Sequence, residues 1–159
     1  MLETNQNSDA IKLADLTFHL LAQCREKEIR FAEKHGLTQA EFRCLRYFGF
    51  NECMNNKQIS GRMKLTQGRL TRIVDSLIIK NYLAREIDPS DRRHMRVNLS
   101  ENGTLLMMQL NNEYADLHRD ILSGVELQQQ KPLIIAIDQL VSALRVWTAK
   151  NPGTEVSFY

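Results

Sequence analysis

The stretch "NKQISGRMKLTQGRLTRIVDSLIIKNYLAREIDPSDRRHMRVNLS", residues 56–100, decides how the chain folds. Leu70, Ile73, Val74, Leu77 and Ile78 recur at i, i+3, i+4, i+7 and i+8, the spacing of a helix that buries one face. Thr66 stands just ahead of them as an N-cap, and a shorter helix is expected from about Lys57 to Met63. Two short helices joined by a few residues, the second apolar inward and basic outward, predict a helix-turn-helix. After Tyr82 the pattern becomes strand-like: "YLAREID" and "HMRVNLS" flank Pro89, Ser90 and Asp91, which supply turn chemistry. A β-hairpin directly after a helix-turn-helix is a wing. Arginines at its tip suit the narrow minor groove of a duplex, where negative potential is strongest.

Helical periodicity continues on both sides. Ser8 is the expected cap of a long helix carrying Ile11, Ala14, Phe18, Leu21 and Ala22, widened by Leu13, Leu16 and Leu20, which runs toward Phe31 and stops at Gly36. Thr38 and Glu41 form a capping box that opens a second helix through about Phe50, and the polar "NECMNN" then breaks the chain. Downstream, Ser100 caps a helix from Glu101 to about Leu122. A last helix holds Leu133, Ile134, Ile137, Leu140, Val141, Leu144 and Trp147 at helical spacing. Pro132 is expected within or before its first turn, so this helix should start late. The fold class is therefore mainly α with a small β-hairpin wing. Residues 37–100 make the winged helix-turn-helix domain, residues 1–36 and 101–150 a helical dimerisation region, and residues 151–159 a tail.

Charge separates the middle of the chain from its ends. Net charge is only +2, yet residues 56–96 hold ten Lys/Arg against four acids, an excess of +6, which leaves −4 for the remainder. A basic segment framed by an acidic rest is the footprint of a surface that meets a polyanion. No uninterrupted apolar run approaches the roughly 18 residues of a membrane span, and "MLETNQNSDA" has neither the basic start nor the apolar centre of a secretion signal, so a cytoplasmic protein without membrane contact is expected. Three cysteines, at 24, 44 and 53, lack the spacing of a zinc site or a disulfide framework, and no metal or cofactor is expected. Enzyme classes fare poorly. The chain has no Gly-x-Ser-x-Gly, no His-Glu-x-x-His and no phosphate-cradling glycine loop, and its histidines are scattered.

Base reading is expected from the outward face of the second helix of the pair. Gln67, Arg69 and Arg72 are the candidates for base edges, since arginine matches guanine and glutamine matches adenine. Thr66 and Thr71 are assigned to phosphate or a thymine methyl, and Gly68 lets backbone approach the duplex closely. The competing reading of Arg72 is an ion pair with Asp75 or Asp88; that of Arg69 is plain solvation. In the wing, Asp91 is expected to orient an arginine by a charge-assisted bond rather than to face phosphate.

These segments, with "LTQAEFRCLRYF" and the flanking helices, resemble the MarR (multiple antibiotic resistance regulator) family of winged-helix transcription factors over nearly the whole chain. The most specific part is Asp91-Arg92-Arg93 set between Arg85 and Leu99-Ser100-Glu101-Asn102-Gly103. The resemblance implies that Arg93 enters the minor groove, that Asp91 orients it and that Arg92 meets phosphate. It further implies a homodimeric repressor on a pseudo-palindromic duplex operator, released by a small aromatic or phenolic ligand. The ligand cleft would lie among the first, second and fifth helices, with His19, Arg46, Tyr47, Met54 and Met108 as candidates by position. Cys53, in the polar loop, is the candidate oxidisable thiol, whereas Cys24 and Cys44 read as inert. Asn81 departs from the family's glycine after the recognition helix, and it is expected to keep the same left-handed cap. The alternative function is a winged helix that binds protein, or a DNA-binding protein without operator readout.

Overall fold

Leu70, Val74 and Leu77 are fully buried and Ile73 and Ile78 partly so, which places the apolar stripe of the expected recognition helix against the centre of the molecule. Each such side chain is worth about 2 kcal/mol of burial. The computed structural model describes residues 2–49, 52–87 and 95–152, with side chains from residue 7 onward. Along the chain run α1 (Leu2–Lys34), α2 (Gln39–Arg46), α3 (Asn56–Met63), α4 (Gln67–Ile79), β1 (Leu83–Ile87), β2 (Met95–Leu99), α5 (Glu101–Ser123) and α6 (Leu127–Lys150). The strands pair antiparallel from Leu83 opposite Leu99 to Ile87 opposite Met95. Met54 bridges the outer edge of β2, exchanging both backbone bonds with Val97. The core gathers Phe31 and Ala32 of α1, Phe42 and Leu45 of α2, Ile59 of α3, the α4 stripe, Leu83, Val97, and Met107 and Leu110 of α5.

Several boundaries differ from those read in the sequence. α1 begins before Ser8, at Leu2, because no proline or glycine interrupts residues 2–34 and so nothing obliges the helix to begin at a cap. α2 stops at Arg46 rather than near Phe50. There the amides of Tyr47 and Phe48 turn back onto Cys44 and Leu45, and Phe48 drops into the core. α6 does not start late: Pro132 lies inside it, in the second turn. The bond that Pro132 forfeits belongs to the carbonyl of Gln128, on a stretch open to water, which lowers the cost. The caps of α2 and α5 and the left-handed stops follow the reading. The Thr38–Glu41 capping box is complete, and Ser100 accepts from the Gly103 amide. Gly36 takes φ +66 and Asn81 φ +60. Bonds from Asn81 N to Ile78 O and from Tyr82 N to Leu77 O then close α4 in a Schellman turn.

α6 buries none of its residues within the chain, and Ile134, Ile135, Leu144, Val146 and Trp147 are each half or more exposed. The earlier part of α1 is similarly bare, with Phe18 and Leu21 more than 70% exposed, although Phe31 and Ala32 near its end are buried. By length and apolar composition, α6 meets the criterion for crossing a membrane. Asp138, Arg145 and the glutamines break it into short apolar runs, which is why no span shows in the sequence.

Candidate nucleic-acid interface

Opposite its buried stripe, α4 presents Gln67, Gly68, Arg69 and Arg72 as exposed residues and Thr71 as half-buried. Thr66 occupies the N-cap with extended backbone, but its hydroxyl makes no cap bond, which departs from the expected side-chain cap. The α4 N-terminus is instead secured by Gln67, whose Nε2 donates to Ser60 Oγ of α3 at 2.8 Å. Thr71 Oγ1 donates back to the Gln67 backbone carbonyl, 2.9 Å away. Arg72 makes no ion pair with a described residue, because Asp75 is taken by Arg85 of β1, with Nη2 to Oδ1 at 2.5 Å. The pair also fastens the wing's first strand to α4. An acid on an otherwise basic face, ten residues before an arginine in the next strand, was the sequence signal for it.

Around Gly68 there is open space: a Cβ built there meets nothing within 4 Å. Packing inside the chain therefore does not call for glycine at this position. Asp88, Asp91, Arg92 and Arg93, the residues expected at the wing tip, lie outside the described residues. At the base of the wing, Asn98 donates to Glu86 Oε1 at 2.9 Å across the two strands.

The five cleft candidates do not converge. Arg46 and Tyr47 line a cavity of about 430 Å³ with Glu28, Arg43 and Met63. Met54 is buried at its bridge to Val97, while His19 and Met108 are exposed on α1 and α5. A larger cleft, about 790 Å³, lies between α1 and α5, with Lys27, Arg30 and Lys34 on one wall and Glu113, Asp116 and Asp120 on the other. None of the five candidates lines it. Sequence reasoning also passed over Tyr114, whose ring sits edge-on to Phe31 and under the Arg46 guanidinium at 4.7 Å. Of the thiols, Cys53 is exposed and Cys24 half-buried. Burial, reinforced by the Glu41 charge, pushes Cys44 up to about 12 and keeps it an unreactive thiol at neutral pH.

Comparison with known proteins agrees with this architecture. Residues 37–95 match the family model of the MarR family. An uncharacterized HTH-type transcriptional regulator, YkoM, of Bacillus subtilis is 25% identical over 141 residues, covering 86% of this chain and 92% of that protein. The crystal structure of apo wild-type MarR from E. coli shares the fold with a TM-score of 0.72 at 20% identity, over 80% of this chain and 95% of that one. A cysteine-to-serine mutant of E. coli MarR complexed with operator DNA superposes with a TM-score of 0.65, also at 20% identity, over 83% and 95%.

Proposed function

We propose that this chain, whose residues 37–95 match the MarR family model and whose curated relatives are HTH-type transcriptional regulators, is a homodimeric repressor of a pseudo-palindromic duplex operator. Recognition helix α4 enters the major groove, and the wing, through Arg93 aimed by Asp91, enters the minor groove. The supporting observation is the outward face of α4, where Arg72 stands exposed without an ion-pair partner among the described residues while the opposite face is locked into the core. An arginine so placed is available to a guanine edge. Operator binding by the E. coli MarR mutant, with which this chain shares its fold, points the same way. The curated relatives are transcriptional regulators, not enzymes.

Residues 37–100 are the DNA-binding domain in this reading, residues 1–36 and 101–150 the dimerisation region, and residues 151–159 an appended tail. The protein acts in the cytoplasm, and a small aromatic or phenolic ligand bound beside the Arg46 and Tyr47 cavity releases it from DNA. Gel retardation of a selected duplex tests the reading. Arg72→Ala is expected to cost about 1 to 3 kcal/mol and to relax preference at one operator position in each half-site. Unchanged affinity and unchanged preference in this variant would overturn the assignment of α4.

A further inference from the structure

The C-terminal end of α4 is held by Glu41 of α2 and, from two sides, by the turn that ends α1 and the residue that caps α5. Lys80, its C-cap residue, donates from Nζ to the Gly36 carbonyl at 2.9 Å and to Glu41 Oε2 at 2.8 Å. Gly36 is the left-handed turn that closes α1. Glu41 is only 3% exposed, and its other oxygen accepts from Ser76 Oγ of α4 at 2.6 Å. On the opposite side, Ser100 donates from its amide to Tyr82 O at 3.1 Å and from its hydroxyl to Asn81 O at 2.6 Å, just before α5 begins. A Cβ on Gly103 would stand 1.9 Å from the Tyr82 carbonyl oxygen, so the α5 backbone sits directly on the turn that ends α4. The other end of α4 lacks any such tie to α1 or α5 among these bonds. Gln67 bonds to α3, inside the winged domain itself.

We propose that Glu41 and Lys80 are positioning residues for DNA recognition: the joint they form sets the tilt of α4 relative to α1 and α5, and with it the half-site separation that the dimer accepts. The inference rests on the dimeric operator-binding reading above. A helix of 13 residues is about 20 Å long, so a tilt of about 10° at its C-terminal joint carries the base-reading N-terminus about 3.4 Å, the rise of one base pair. Charge-assisted bonds on a buried carboxylate resist such a tilt better than exposed pairs, because water neither competes for nor screens them as effectively. Lys80 also bonds to the carbonyl of the turn that ends α1 and so ties α4 directly to that helix.

The test is fluorescence anisotropy on duplexes whose half-sites are moved one base pair closer or farther apart. Wild type is compared with Lys80→Arg, Lys80→Met and the Glu41→Gln/Lys80→Met double variant. The double variant leaves no buried carboxylate unpaired, which guards against simple unfolding. Wild type and Lys80→Arg should prefer one separation by about tenfold or more, and the methionine variants by about threefold or less, with folded circular dichroism throughout. If Lys80 instead only met phosphate or only stabilised the fold, affinity would fall equally at every separation, and that result overturns the proposal. So does an unchanged preference. Unfolding of both methionine variants would reduce the pair to a stability role and overturn it as well. Wild type that enriches no duplex at all would instead contradict the operator reading, and the inference would fall with it.

Discussion

Gly68 concentrates the difference between what the fold requires and what the site requires. With nothing within 4 Å of its missing Cβ, Gly68→Ala should stabilise the first turn of α4 by about 0.5 to 1 kcal/mol, read as a higher midpoint in urea. If the α4 backbone meets the duplex closely at this point, the same substitution weakens operator binding, so stability and affinity move in opposite directions. Parallel gains in both would show that the close approach does not occur. At this scale the sequence was uneven. It identified the exposed residues of α4 from the stripe opposite them, and it placed Asn81 in the left-handed region. It missed that Asp75 pairs with Arg85 and that the Gln67 amide is spent on Ser60, because both contacts join elements whose mutual orientation periodicity does not encode.

Among the elements, α2 carries the most consequential electrostatics. Burial alone raises the Glu41 carboxyl, but bonds from Lys80, Ser76 and Thr38 outweigh it and hold the group below the ordinary carboxylate range. A carboxylate depressed in the folded state contributes stability above its unfolded value, near about 4.3, and loses that contribution as pH falls through the folded value. Glu41→Gln should therefore cost about 2 kcal/mol at neutral pH, with the gap to wild type closing below about pH 4 in a series of denaturant titrations. A gap independent of pH would mean that the carboxylate charge is not what stabilises this junction. The longer helices were legible because their apolar stripes repeat, and the hairpin because turn residues separate its two strand-like runs. Ends were less so: α2 terminates where Phe48 finds the core, and α6 absorbs Pro132 because its early turns face water, both outcomes of tertiary placement.

Across the whole molecule, the outstanding demand is the apolar surface of α1 and α6. A 24-residue helix with no buried residue cannot be stabilised by its own chain, since most helical stability in proteins comes from packing an apolar face. A second copy satisfies this in the proposed dimer. Leu144→Glu should shift sedimentation from dimer to monomer at micromolar concentration and reduce operator affinity with it, while a dimer that survives the charge would move the interface elsewhere. The winged domain was readable from one stretch of sequence, whereas the cleft was not: a pocket depends on how α1, α2 and α5 approach one another, and position along each helix does not give that.

Selection of bound sequences from a random duplex pool at near-physiological salt tests the central claim most directly. The account predicts enrichment of a two-fold-symmetric site with half-sites about one helical turn, about 34 Å, apart. No enrichment, with binding that only declines as salt rises, would contradict it and leave a protein that holds DNA without reading it.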